Sequence, residues 1–200
     1  MQKKKKYKGL IFVISGPSGS GKTTLRKKLL QKKGLRKRFS NSISFTTRPK
    51  RSAERQGKDY FFISPEEFLK QQRAKKILEW TKYLGYYYAT PRDFVEGELK
   101  KGKHLILCLD IKGALRIKRF YPKNTVLIFI LPPSLKALQN RIKGRCNKTK
   151  KEEIRERLKL AKEELLASRH YEHSIINRKL PDAVRRLKEI VLKERQNIKA

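Results

Sequence analysis

A parallel β-sheet covered by helices on both faces, with a small mostly-β lobe inserted into it, is the fold class this sequence predicts. Three patterns predict it. Leu10 to Ser15, Leu105 to Leu109 and Val126 to Ile130 are short apolar runs without polar alternation, as strands buried on both faces require. Each is followed by a helical stretch, Lys22 to Lys33, Lys112 to Arg119 and Ser134 to Ile142, and strands alternating with helices build an α/β sheet. Between the first and second of these units, Ser42 to Phe45, Tyr60 to Ile63 and Tyr86 to Tyr88 are aromatic or branched runs with polar interruptions, which suit the inserted lobe.

The remaining elements follow in order. In the first helix Leu25, Leu29 and Leu30 share one face. Ser64-Pro65-Glu66-Glu67 is a helix start, with a serine N-cap, proline in the first turn and glutamate three after the cap. Thr149-Lys150-Lys151-Glu152 repeats that logic and opens a long helix with Ile154, Leu158, Ala161 and Leu165 along one stripe. Pro181 opens a final helix carrying Val184, Leu187 and Val191. We divide the chain as one domain: a basic tail 1–8, a core of 9–40 and 103–200, an inserted lobe 41–102, and a lid 143–157.

The 200 residues suffice for one domain with a real core. No run approaches the ~18 apolar residues of a membrane span. The basic start is followed by too short an apolar run for a signal peptide, so a cytoplasmic protein is expected. Cys108 and Cys146 do not make a disulfide framework, which fits a reducing compartment. The net charge of +35 favours anions generally. Its basic residues are spread along the chain, so the charge reads first as lysine-rich surface and only second as weak nucleic-acid contact.

Gly16-Pro17-Ser18-Gly19-Ser20-Gly21-Lys22-Thr23, with Thr24 next, matches G-x-x-x-x-G-K-[ST] between a buried strand and a helix. The glycines let backbone N–H groups turn inward around phosphate, and the helix adds its positive end. Lys22 is expected on the β and γ phosphates of ATP, and the Thr23 hydroxyl on Mg²⁺. The pattern makes the sheet one of P-loop NTPase type. It does not identify an acceptor.

Arg48 and Arg51, three apart and followed by Glu54, suit a phosphate dianion, because guanidinium groups fork onto phosphate and a carboxylate can hold one in place. An exposed basic loop is the alternative. The wider run S-x-T-T-R-x-x-R-x-x-E-x-x-G-x-D-Y, from Ser44 through Thr46, Thr47, Gly57 and Asp59 to Tyr60, resembles the guanylate kinases. So do Leu78-Glu79-Trp80, Gly85 with Tyr87-Tyr88, Leu131-Pro132-Pro133-Ser134 and Gly144-Arg145. The resemblance runs from about Leu10 to about Lys193.

It implies transfer of the γ-phosphate of ATP to GMP, with dGMP as a second acceptor. Arg48, Arg51, Tyr60 and Tyr88 would hold the GMP phosphate, and Glu54 would brace the arginines. Glu79 would accept from guanine N1 and N2, Ser44 and Thr90 would donate to O6, and Asp110 would meet GMP or the water shell of Mg²⁺. This makes chemical sense, since adenine would leave a buried Glu79 facing an acceptor. Asp110 also reads as a plain helix N-cap. Arg141, Arg145 and Arg157 would close over the phosphates. Arg157 reads equally as an ion pair with Glu153.

Five positions depart from the family pattern. Cys108 replaces an acidic residue, Cys146 a glycine in the lid, Ala89 a glycine, and Arg178-Lys179 an acidic pair after the matching Asn177. His170 and His173 lack further ligands for a metal and are expected to flank the end of the long helix. Three rival readings are a non-catalytic module binding phosphorylated partners, an RNA-associated protein, and a kinase with another acceptor. The complete P-loop, the lack of an RNA motif and the Glu79 set argue against them in turn.

Overall fold

A computed structural model of the protein describes residues 7–144 and 151–197. The core sheet takes β1 (Ile11–Ser15), β2 (Phe39–Asn41), β7 (His104–Cys108), β8 (Thr125–Leu131) and β9 (His173–Ile176), in the order β2-β7-β1-β8-β9, every pair parallel. Residues of β1 alternate between two cores. Leu10, Phe12 and Ile14 pack with Leu25 and Leu29 of α1 (Lys22–Leu30) and with Leu187 and Val191 of α7 (Leu180–Asn197). Ile11 and Val13 pack on the other face with Val95 and Leu99 of α3 (Arg92–Lys100) and with Ala114 and Ile117 of α4 (Ile111–Phe120). Burial on both faces is why the strands read as unbroken apolar runs.

The inserted lobe is a four-stranded sheet in the order β4-β3-β6-β5, from β3 (Phe45–Thr46), β4 (Phe61–Phe62), β5 (Ile77–Tyr83) and β6 (Tyr86–Pro91). It closes on α2 (Pro65–Arg73), where Phe68 stacks on Tyr87 at 4.4 Å between ring centroids and meets Trp80 edge-on. The expected cap forms: Ser64 Oγ accepts from Glu67 N at 3.2 Å. Past the core, α5 (Leu135–Lys143) starts at a second serine cap, Ser134, and packs Leu138 and Ile142 on Ile154, Leu158 and Ala161 of α6 (Lys151–Leu166). Leu165, the fourth residue of the expected stripe, joins the core under α4 instead. The Thr149 cap lies outside the described residues.

Several elements differ from expectation. The first helix ends at Leu30, not Lys33, where Gln31 caps it. Two edge strands, β2 and β9, and helix α3 have no counterpart in the sequence reading. The two strands are short or half-polar, and only pairing with a buried neighbour makes them strands. His173 belongs to β9, where Nε2 lies 2.9 Å from Glu194 Oε1, while His170 ends a single 3₁₀ turn after α6. Among the described residues no three or more His, Cys, Asp or Glu side chains gather as a metal site, and no helix is long and apolar enough to cross a membrane.

Candidate functional site

The loop between β1 and α1 lies at the carboxyl edge of the sheet, where open α/β folds bind ligands. Gly21 caps α1 in the left-handed region (φ 99°) with no side-chain cap, and the first turn carries no acid. The N–H groups there are therefore left for an external anion. A Cβ on Gly21 would stand 2.3 Å from Asn177 Nδ2, and one on Gly16 would stand 2.3 Å from the Ile130 carbonyl. Asn177 Nδ2 donates to the Ser20 carbonyl at 2.8 Å, so the end of β9 buttresses the loop. Lys22 Nζ donates to the carbonyls of Gly16 and Pro17, which holds the ammonium across the loop. Thr23 and Thr24 are exposed at the first turn of α1.

Opposite this loop, Arg48 and Glu54 form a fork: Nη2 donates to Oε1 at 2.8 Å and to Oε2 at 2.9 Å. Glu54 Oε2 also accepts from the Arg51 backbone N–H at 3.0 Å. One carboxylate thus shapes the whole turn. Arg48 lies over the Tyr60 ring at 5.6 Å, and Tyr60 meets Tyr88 edge-on at 6.0 Å. Burial works against the Arg48 charge, but Glu54 and the Tyr88 phenol outweigh it and raise its pKa. Burial also pushes the Tyr60 phenol up. Arg51 is exposed at the rim.

The next pocket is built by a bulge. Between Ile77 and Glu79 the pairing of β5 with β6 slips, so that Glu79 stands directly across from Thr90. The Thr90 hydroxyl donates to Glu79 Oε1 in a short hydrogen bond, and both residues are buried. Burial pushes the Glu79 carboxyl up to about 7, with nearby Asp110 adding to the rise and Thr90 opposing it. Gly113 in the first turn of α4 is required here, because a Cβ would stand 2.5 Å from Glu79 Oε2. Asp110 caps that helix, its Oδ1 accepting from Gly113 N at 2.7 Å, as the N-cap reading expected. Ser44 is half-buried at the start of β3, and its carbonyl accepts from Phe61 N at 2.9 Å. A glycine-rich anion loop therefore faces an arginine–tyrosine pocket, with a buried carboxylate–hydroxyl pair beyond it.

A family model described as guanylate kinase matches residues 8–194. The chain is 43% identical to the guanylate kinase of Thermotoga maritima over 194 residues, covering 96% of this chain and 90% of that one. It is 44% identical to a guanylate kinase of Bacillus cereus over 187 residues, 94% of this chain and 89% of the other. The chain belongs to the guanylate kinase family. It is accordingly a nucleoside-monophosphate kinase. The crystal structure of guanylate kinase from Anaplasma phagocytophilum superposes with a TM-score of 0.78 at 32% identity, over 95% of this chain and 88% of that chain.

Two further arginines lie at the phosphate loop. Arg157 Nη1 donates to Ser18 Oγ at 3.0 Å, and its guanidinium lies 5.9 Å from the Tyr83 ring centroid. It thus spans the phosphate loop and strand β5. Arg141 Nη2 donates to the Asn177 carbonyl at 2.8 Å, which sets it beneath the loop. Arg145 and Cys146 lie outside the described residues.

Three residues join the site that sequence reasoning passed over as site residues. Asn177 reads in the sequence only as a match to the family pattern. Gly113 gave no signal except its helix position. Glu164 sits beside the apolar stripe of α6, and its carboxyl, near Lys22 and Asp110, is pushed up to about 7 by burial. Its nearness to Ala161 on the buried face was the one clue available.

Proposed function

We propose that this guanylate kinase transfers the γ-phosphate of ATP to GMP, giving ADP and GDP, and serves purine nucleotide metabolism in the cytoplasm. The observation that carries the acceptor is the Glu79–Thr90 pair. A buried carboxylate opposite guanine N1 and N2 is satisfied by two donors, whereas adenine would strand it against an acceptor. In this structure Thr90 donates to Glu79. Ser44 and Thr90 then complete the base pocket at O6, Thr90 by turning its hydroxyl toward the base. Because the pocket reads the base and not the 2′-hydroxyl, dGMP is accepted as well.

Gly16, Pro17, Ser18, Gly19, Ser20, Gly21, Lys22, Thr23 and Thr24 hold the ATP phosphates. Arg48, Arg51, Tyr60 and Tyr88 hold the acceptor phosphate, with Glu54 bracing them and Asp110 meeting GMP or the water shell of Mg²⁺. The exposed Thr23 hydroxyl next to Lys22, and the carboxylates of Asp110 and Glu164, of which Glu164 lies near both Lys22 and Asp110, have the hard oxygen chemistry that suits Mg²⁺, which would supply charge neutralisation on the phosphates when bound. No protein nucleophile is needed. An oxygen of the GMP phosphate attacks the γ-phosphorus as the bond to the β-phosphate oxygen breaks, and Lys22, Arg48, Arg141, Arg145 and Arg157 balance the charge. The lobe 41–102 carries the acceptor, and the segment 143–157 closes over both nucleotides and excludes water.

An ADP-release assay with ATP and Mg²⁺, offering GMP, dGMP, AMP, CMP and UMP in turn, tests the proposal. Turnover with the two guanine nucleotides alone supports it. Turnover with AMP at a rate like that with GMP, or with no acceptor at all, would overturn it, and chelating Mg²⁺ should stop turnover without changing the melting temperature of the nucleotide-free protein.

A further inference from the structure

Between the phosphate loop and the acceptor pocket lies a charge that the assigned roles leave unused. Arg26 follows Lys22 by one helical turn of α1, so both side chains leave the same face of the helix. Arg26 is only 9% exposed. Its Nε is buried without a hydrogen-bond partner, and among the described residues no carboxylate pairs with it. A buried guanidinium without an anion is costly, and natural sites keep one where an anion arrives.

The surroundings say which anion. The guanidinium lies against the Cys108 thiol, at the last residue of β7, and close to the Tyr60 phenol. Tyr60 is the ring beneath Arg48 and beside Tyr88. Arg26 therefore borders the arginine–tyrosine pocket from the side of Lys22, between the two phosphate positions. Cys108 stands where the resemblance led us to expect an acid. A carboxylate there would take the Arg26 charge for itself. The thiol does not, because burial pushes its pKa up and it stays neutral.

We propose that Arg26 is a third arginine of the acceptor site, binding the phosphate of the nucleoside monophosphate from the P-loop side, and that Cys108 keeps its charge available. This rests on the phosphotransfer reading above. It also changes the meaning of the departure at position 108. The missing acid does not simply weaken the acceptor site; it releases a cation to the phosphate.

Trp80, the one tryptophan, is next to Glu79 but packs against Phe68 and Tyr87, so calorimetry is the readout of nucleotide binding. Titrations with GMP and with guanosine then separate phosphate from base. Arg26→Gln should weaken GMP by about 10- to 100-fold, the range for a charged hydrogen bond, and guanosine by less than about two-fold. Arg26→Lys should recover part of the loss. Cys108→Asp, which leaves Arg26 in place, should produce the same selective loss by pairing with it, so the test survives a misfolded Arg26→Gln. Equal losses for GMP and guanosine, or GMP affinity within about two-fold of the parent in both Arg26→Gln and Cys108→Asp, would overturn the role of Arg26 while parental turnover of GMP still stands. A parent that neither binds nor phosphorylates GMP would overturn both proposals.

Discussion

Replacing Glu79 by glutamine should move recognition and stability in opposite directions. The side chain is 2% exposed, and burial raises its pKa from 4.5 to about 7. Keeping it ionised inside the fold therefore costs about 3 kcal/mol relative to water. The folded state holds this proton more tightly than the unfolded chain does. Its contribution is full below pH ~4.5 and is lost as the pH rises through about 7. Glutamine has no proton to lose, and its carbonyl still accepts from Thr90. The variant should match the parent near pH 5 and exceed it near pH 8 by up to about 3 kcal/mol. His104, held down to about 4 by burial beside Arg195 and Arg38, acts in the opposite sense as the pH rises, but it titrates alike in both proteins and cancels. Guanine recognition should fall. The amide presents a donor where the base also donates, and one charged hydrogen bond disappears, which together cost about 2–4 kcal/mol, or roughly 30- to 1,000-fold in kcat/KM for GMP. Melting curves at several pH values and the ADP-release assay read the two effects separately. A variant that melts below the parent at pH 8, or that loses affinity for ATP in proportion to GMP, refutes this reasoning.

Lys22→Ala should lower kcat by at least about 10²-fold with an unchanged circular dichroism spectrum, because the ammonium donates to carbonyls of the loop and, in its proposed role, to phosphate. Gly21→Ala should lose stability as well as ATP binding, since the new Cβ meets Asn177 at 2.3 Å with φ at 99°; a melting temperature equal to the parent's would contradict the buttress. Glu54→Gln should raise the KM for GMP by roughly 10-fold and leave that for ATP alone, because Arg48 loses its fork and Arg51 its backbone anchor.

What the sequence made legible was whatever is written in local order. The phosphate loop, the buried strands beside it and the Ser64 helix start depend on neighbouring residues, and each lies where it was expected, give or take a residue or two. Edge strands β2 and β9 depend on a partner far away in the chain, and nothing within Phe39–Asn41 or His173–Ile176 separates them from loop. The base pocket shows the same division. Glu79 and Thr90 could be named from a resemblance, but the bulge that sets them face to face is a property of pairing between two strands. Gly113 and Asn177 matter because of what approaches them, and a single chain read along its length records no approach.

Charge at the site is arranged on two length scales, and they should separate kinetically. The donor and acceptor phosphates are both anionic, and two unit charges about 4 Å apart repel by about 4 kcal/mol at an effective dielectric of 20. Offsetting that needs cations in fixed positions. Arg157 on Ser18, Arg48 in its Glu54 fork and Lys22 across the loop are such cations, each held by a named partner. In their proposed roles they touch the phosphates directly, well inside the ~8 Å Debye length at physiological salt, so added salt should screen them little. The rest of the +35 charge lies spread over the surface. It raises the encounter rate of both nucleotides and aligns neither. Raising ionic strength should therefore lower kcat/KM for GMP and for ATP while leaving kcat nearly constant. A kcat that falls in step with kcat/KM would mean that surface charge, and not the held cations, balances the transferring phosphoryl group.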